Sequence, residues 1–269
     1  MKLTQELIVK PGKAAKLKHR DPDDTPGFHD KSEAEETLEK NIKRLADLQF
    51  RLYAEQQRSV LVVLQGIDAA GKDGTIRHVM SGLNPQSCRV TSFKTPSTEE
   101  RAHHFLWRID KAVPTKGEIG IFNRSHYEDV LVVRVHNLAP KSVWLERFEQ
   151  INAFEKLLTD NGVTIVKFFL MITKDEQKRR LESRLQDPDK NWKFTPADLA
   201  ERKWWGDYLK AFEDALTKCS TPWAPWYVIP ANKKWFRNLA VSQILVETLE
   251  EMDPRFPKPA FDPAKLVVK

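Results

Sequence analysis

SVLVVLQ (Ser59–Gln65) runs straight into GIDAAGKDGT (Gly66–Thr75), and the reading of these residues decides the fold. Val60 through Leu64 are β-branched or apolar without interruption, the composition of a strand buried on both faces of a parallel sheet. Gly66, Gly71 and Lys72 then fit G-x-x-x-x-G-K, and Thr75 to Met80 can open a helix. Glycines let backbone N–H groups turn toward an anion with no Cβ in the way, and a helix N-terminus adds partial positive charge. Lys72 supplies a mobile cation for the same phosphate. Strand, loop and helix in register separate the motif from an incidental Gly-rich turn.

Two carboxylates make this loop unusual. Asp73 stands where a Ser or Thr hydroxyl ordinarily meets magnesium, and Asp68 lies inside the loop itself. A carboxylate so near several phosphate charges points to a metal bridge or to a base beside the transferred phosphoryl group.

The remaining composition sets bounds. A chain of 269 residues is one large or two small domains, and 41% hydrophobic content with eight Trp and fourteen Phe supplies a sizeable core. No apolar run approaches the roughly eighteen residues of a membrane span, and MKLTQELIVKPGKAAK lacks the apolar centre of a signal peptide. Cys88 and Cys219 stand far apart without metal-type spacing, as expected of reduced thiols in a cytoplasmic protein. The net charge of +6 fits a polyanionic partner, whether nucleic acid, an acidic membrane surface, nucleotides or a polyphosphate chain.

Residues 1–31 read as an irregular arm, with repeated turn signals in DPDDTPG (Asp21–Gly27), expected to pack along the surface or against another subunit. A long helix is expected from Ser32 to about Gln57, capped by Ser32 with Glu35, its stripe running through Leu38, Ile42, Leu45, Gln49, Leu52 and Gln56. CRVTSF (Cys88–Phe93) reads as a second strand, followed by a helix from Thr95 through Trp107. His103 and His104 are neighbours on that helix, point to different faces and make a poor metal pair. Ile119 to Phe122 form a short strand ending in the polar cluster Asn123–Asp129, where Arg124 could neutralise phosphate and Glu128 or Asp129 could hold metal. The plainer alternative is a turn in which Arg and Glu pair with each other. Ligands of open α/β sheets collect at the carboxyl ends of strands, which would put this cluster on the rim with Asp68 and Lys72.

An amphipathic helix follows over Lys141–Asp160, then the strand VTIVKFFLMI (Val163–Ile172). From Thr173 a capped helix carries Lys178, Arg179, Arg180 and Arg184, and Lys190 and Lys193 flank Trp192 beyond it, the cations a flap over phosphates would need. A further helix is expected over Pro196 to Lys218, a last strand at Trp226–Ile229 and a closing helix to about Glu251. The tail from residue 252, with Pro254, Pro257, Pro259 and Pro263, should be extended or disordered.

Taken together, GIDAAGKDGTI, IFNRSHYEDVLVVRV, FFLMITKDEQKRRLESRL with DPDKNWKF, and APWYVIPANKKWFRN resemble the polyphosphate kinase 2 family, most closely its one-domain, class III-like branch. The resemblance spans roughly Pro22 to Glu251. It implies an α/β P-loop kinase fold similar to thymidylate kinase, three layers with a parallel sheet flanked by helices, in one domain over 32–251 with a helical lid at about 174–205. The activity it implies is reversible, magnesium-dependent phosphoryl transfer between inorganic polyphosphate and adenine, and possible guanine, nucleotides, with manganese as a substitute metal. Asp68, Lys72 and Arg124 are implied as catalytic. Phosphate falls to Ala69, Ala70, Gly71, Lys72, Asp73, Gly74, Arg124 and Arg134, and to the lid residues Lys178, Arg179, Arg180 and Arg184. Nucleotide binding falls to Asn123, His126, Tyr127, Glu128 and Lys193, and metal to Asp68 and Glu128. Many one-domain members have Asp where this chain has Asn123. A neutral amide is a weaker magnesium ligand, which shifts the metal role toward Asp68 and Glu128. The implied assembly is a homo-oligomer, dimer or tetramer, with neither nucleic acid nor membrane as partner.

Two other classes share some of these features. An ATP-dependent kinase for a nucleoside monophosphate or another small acceptor would share loop, magnesium and lid, and differ in its donor. A nucleic-acid binder would explain the charge but not Asp68, which would repel backbone phosphate.

Overall fold

The structure is a computed structural model, and it describes residues 2–266 and 268. β1 (Ser59–Gln65) is buried along its whole length. Its side chains alternate: Val60, Val62 and Leu64 enter one core, Leu61 and Val63 the other. A strand covered on both faces belongs in the middle of a parallel sheet. The sheet order is β2-β3-β1-β4-β5, with β2 at Cys88–Ser92, β3 at Ile119–Asn123, β4 at Val163–Met171 and β5 at Trp226–Pro230. All pairings are parallel, with Val62 opposite Ile121 on one side and Val166 on the other. This is the expected α/β P-loop kinase architecture.

One core layer holds α1 (Leu3–Glu6), α2 (Lys31–Glu55), α3 (Lys72–Val79) and α11 (Lys234–Met252). The other holds α5 (Trp107–Asp110), α6 (Val132–Val135), α7 (Lys141–Asp160) and α10 (Trp205–Cys219), while α4 (Thr98–Ala102) precedes α5. α8 (Lys174–Gln186) and α9 (Pro196–Glu201) follow the carboxyl end of β4. The chain leaves β1 for the β2 edge, returns to β3, then crosses β1 to reach β4. The switch point of the sheet therefore lies at the carboxyl ends of β1, β3 and β4, where a ligand crevice forms. Among the described residues, no helix is long and apolar enough to cross a membrane.

Three local expectations need correction. α2 is capped by Asp30, whose carboxylate accepts from Glu33 N at 2.9 Å, so Ser32 falls inside the first turn. Asp30 has the extended backbone a cap needs, and its charge suits a helix N-terminus. The helix expected over Thr95–Trp107 is broken after Ala102, where His103 stacks on Trp107 with ring centroids 4.0 Å apart. The helix expected over Pro196–Lys218 is interrupted by a 3-10 turn at Arg202–Trp204. The segment 2–31 packs along the surface of its own chain, at the β5 edge. Leu3, Leu7 and Val9 are buried, and Val9 N donates to Trp226 O at 2.8 Å while Val228 N donates to Leu7 O at 2.9 Å. The segment covers the otherwise open edge of β5. In the tail, Phe256 meets Phe50 edge-on at 5.5 Å.

Candidate active site

The loop after β1 closes through Ala70 N donating to Ile67 O at 3.0 Å, with Ala69 in the left-handed region at φ 61°. Gly71, at φ 106°, caps α3 in a conformation that L side chains rarely adopt. Lys72 is buried and its Nζ donates to Gly66 O at 2.8 Å, across the mouth of its own loop. Burial, reinforced by the positive charge of Arg124, pushes its ammonium down to about 8. Such a group stays charged at neutral pH at a cost that an arriving anion would relieve.

The loop after β3 meets the first from the side. Arg124 is also left-handed, at φ 64°, and its N–H donates to Leu64 O at 3.0 Å. Non-glycine residues held there store strain that surrounding structure must impose, a frequent feature of functional loops. The Arg124 guanidinium lies 3.2 Å from Glu128, so the plain pairing alternative exists here, yet both side chains also line one cavity with Asp68. Asn123 Nδ2 donates to Asp73 Oδ1 at 2.7 Å. The amide thus occupies the carboxylate that replaces the usual hydroxyl.

His126 and Tyr127 do not fit nucleotide binding. Both are 0% exposed, and both bond the Glu155 carboxylate, at 3.1 and 2.9 Å. The 3-10 turn His126–Asp129 directs these two inward and leaves Arg124 and Glu128 facing out. Lys167, in mid-β4, completes the cluster by donating to Tyr127 Oη at 2.8 Å and Glu155 at 2.5 Å. Burial would raise the Glu155 carboxyl, but Lys167 and His126 outweigh it and hold it below its ordinary value. Arg134 is likewise turned away from phosphate: it pairs with Asp214 at 2.6 Å and lies over the Trp144 ring.

The four lid cations divide. Arg184 reaches Asp68 at 3.6 Å. Arg180 is buried and every N–H is used: Nε to Glu176, Nη1 to Ala69 O and Ala70 O, Nη2 to Ala231 O and Asn232 O. It braces the phosphate loop from behind and has no donor left for a substrate. Arg179 is paired with Glu176 and Lys178 with Glu182 on the exposed face of α8. Lys193 lies over the Trp192 ring, outside the cavity lining.

Between the two loops and the segment after β4 is a cavity of about 210 Å³. Asp68, Arg124 and Glu128 form its charged end, Leu131, Val132 and Phe212 its apolar wall, and His136, Glu201 and Tyr208 its far side. Tyr208 Oη donates to Glu201 at 2.8 Å, and the same carboxylate meets His136 Nε2 at 3.1 Å. Sequence reasoning missed this trio, because its members belong to three elements and no local motif joins them.

The profile of the family described as polyphosphate kinase 2 matches residues 28–257. The chain belongs to the polyphosphate kinase 2 family. It is 53% identical to the AMP/ADP-polyphosphate phosphotransferase of Meiothermus ruber over 97% of this chain and 98% of that relative. Identity to the ADP-polyphosphate phosphotransferase of Rhodopseudomonas palustris is 46%, over 87% of this chain and 85% of that one. The crystal structure of polyphosphate kinase 2 from Arthrobacter aurescens superimposes with a TM-score of 0.95 at 45% identity, covering 98% of this chain and 94% of that one.

In this polyphosphate kinase 2 chain the donors suit magnesium. Asp68 Oδ2 is enclosed without a hydrogen-bond partner, and the 3.6 Å to Arg184 is too long for one. Among the described residues no three His, Cys, Asp or Glu side chains gather as a ready-made metal cage. Magnesium is ordinarily held by one or two carboxylates together with substrate phosphates, and Asp68 and Glu128 on one cavity wall meet that requirement.

Proposed function

We propose that this chain transfers a phosphoryl group from inorganic polyphosphate to AMP and ADP, forming ADP and ATP, with magnesium bound by Asp68, Glu128 and substrate oxygens. The observation that carries this reading is the meeting of Asp68, whose Oδ2 has no hydrogen-bond partner, with Arg124 and Glu128 on one cavity at the sheet's switch point, beside Lys72 held on the cavity residue Gly66. Its relatives of similar length are named for AMP and ADP as polyphosphate partners.

A nucleotide phosphate oxygen attacks the terminal phosphorus of the chain. One P–O bond forms as the terminal anhydride P–O bond breaks, and the shortened chain leaves with its electron pair. The acceptor is already ionised near neutral pH, so no strong base is needed. Charge spreads over the equatorial oxygens of a loose transition state, and catalysis is largely positioning and cationic stabilisation. Lys72 leaves Gly66 O for the moving phosphoryl group, and Arg124 exchanges Glu128 for the same oxygens. An arginine in this role contributes roughly 10³ to 10⁵ in rate. Asp68 and Glu128 would hold magnesium, which when bound would supply charge neutralisation for the phosphates, and Arg184 lies beside Asp68 at 3.6 Å.

Purified protein given magnesium, long-chain polyphosphate and ADP, with no nucleoside triphosphate, should form ATP; AMP should give ADP and then ATP. Parallel GDP and GMP reactions read the base range, and chelation followed by manganese reads the metal. Lys72→Ala should abolish turnover while the folded spectrum persists. No product from polyphosphate, with ADP released from ATP on adding small acceptors, would move the assignment to an ordinary kinase.

A further inference from the structure

Arg237, in the first turn of α11, is a buried cation that the mechanism above does not use. It is 3% exposed, and its Nε and Nη2 both donate to Oδ1 of its neighbour Asn238, at 3.1 and 2.8 Å. Among the described residues no Asp or Glu pairs with it, and the charge that acts on it is another cation, Arg180. Arg180 shows what a purely structural arginine achieves at this place: five N–H groups and five protein acceptors. Arg237 leaves Nη1 with no protein acceptor. That nitrogen is not sealed off either, since among the described residues the side-chain atoms both enclosed and unpaired are Asp68 Oδ2, His126 Nδ1, Asn152 Oδ1 and Trp226 Nε1.

Its position is specific. A Cβ added to Gly71 would collide with Nη1, and one added to Gly74 would come within 3.2 Å of Nη2. The guanidinium therefore lies against the last glycine of the phosphate loop and the first turn of α3, at the N-terminal end of that helix. Glycine at 71 is required twice, by its positive φ and by the room this arginine takes. Burial, with the repulsion of Arg180 added, pushes the guanidinium down to about 10, as expected of a cation lacking its counter-ion. Removing water from an unpaired charge is costly, and the cost is offset only when an anion arrives.

We propose that Arg237 is a phosphate-binding residue of the donor site, its Nη1 taking an oxygen of a polyphosphate unit seated at the N-terminus of α3. The proposal rests on the polyphosphate reading above for the identity of its ligand. It gives the closing helix a direct part in holding the donor, while the acceptor nucleotide occupies the cavity across Asp68.

The test is the Arg237→Met variant, measured in two arms. In the binding arm, thermal melting with and without tripolyphosphate requires no turnover. The ligand-free variant should melt at or above the unaltered protein, because an isosteric apolar side chain relieves an unpaired buried charge. The upward shift given by tripolyphosphate should shrink to that of a roughly ten- to hundredfold weaker complex, the loss expected for a hydrogen bond to a charged group, while the shift given by ADP stays. In the kinetic arm, the KM for polyphosphate should rise about tenfold or more and the KM for ADP should stay within about twofold. A ligand-free variant that melts lower, with both KM values moved together, would make Arg237 a structural brace and overturn the proposal. So would unchanged tripolyphosphate binding, or none to the unaltered protein. Should Arg237→Met not fold, Arg237→Lys keeps the charge and loses the fork: weakened tripolyphosphate binding supports the role, and full binding overturns it. Absence of polyphosphate turnover in the unaltered protein would overturn the donor assignment instead, with the binding arm still deciding Arg237.

Discussion

Lys72 holds a proton that the fold makes expensive to keep. In the unfolded chain its ammonium titrates near 10.5; in the fold, burial and then Arg124 bring it down to about 8. Below pH 8 both states are protonated and the folded state carries the whole penalty of a buried cation. Between about 8 and 10.5 the unfolded state binds more protons, so stability rises with pH, and above that window the penalty is gone. We predict that Lys72→Met melts higher than the unaltered ligand-free protein at pH 7, by an amount on the order of 3 kcal/mol at most. That gap should close as pH rises through the window. A gap independent of pH in parallel melts would exclude this account. That Lys72, Asp68 and Arg124 fall at one crevice was legible in the sequence, because each sits in a motif at a strand end. The placement of Arg134 and Arg180 was not. A cation's type and position say nothing of whether a distant Asp214, or four carbonyls from two other segments, has already claimed it.

Elements were read well wherever the pattern is long. Lys141–Asp160 is a helix with both ends as expected, and the strand runs of Val, Ile, Leu and Phe came within a residue or two of their ends. The breaks at His103 and Arg202 escaped because a stacked ring and a 3-10 turn barely disturb helical spacing. More consequential was the lone lysine inside VTIVKFFLM. Lys167 joins β4 to the Arg124 loop and to α7 through a cluster that is wholly buried. Removing one partner leaves an uncompensated buried charge, whereas removing both removes the charge and leaves only neutral polar groups of His126 and Tyr127. Glu155→Gln should therefore cost about 3–5 kcal/mol in urea unfolding and lower kcat by loosening the turn that holds Arg124. Lys167→Met combined with Glu155→Leu should recover much of that stability. Additive losses in the double variant would show that the cluster does not act as a unit.

At the scale of the whole molecule, the N-terminal segment was the least legible part. Its turn signals are real, but what orders it lies more than 200 residues away: Thr4 Oγ1 donates to Glu247 at 2.6 Å, and Leu7 and Val9 bridge to β5. Sequence periodicity within a segment cannot report contacts at that separation. Nor does it give strand order, and it is the order that sets β1 between β3 and β4 and brings the Lys72, Arg124 and Arg184 segments to one crevice. The physical consequence is an edge strand whose open side is closed by the chain's own beginning. Leu3, Leu7 and Val9 are buried by this contact, and losing a net contribution on the order of 2–3 kcal/mol corresponds, in a chain of this size, to a fall of roughly 5–10 °C in Tm. Deleting residues 2–10 should produce that fall and leave the KM for ADP unchanged, because the segment lies at the β5 edge and not at the crevice. With the edge uncovered, the truncated protein should also self-associate as its concentration rises. Light scattering and thermal melting across a concentration series would read both effects, and a truncated protein that stays monodisperse with an unshifted Tm would refute a structural role for the segment.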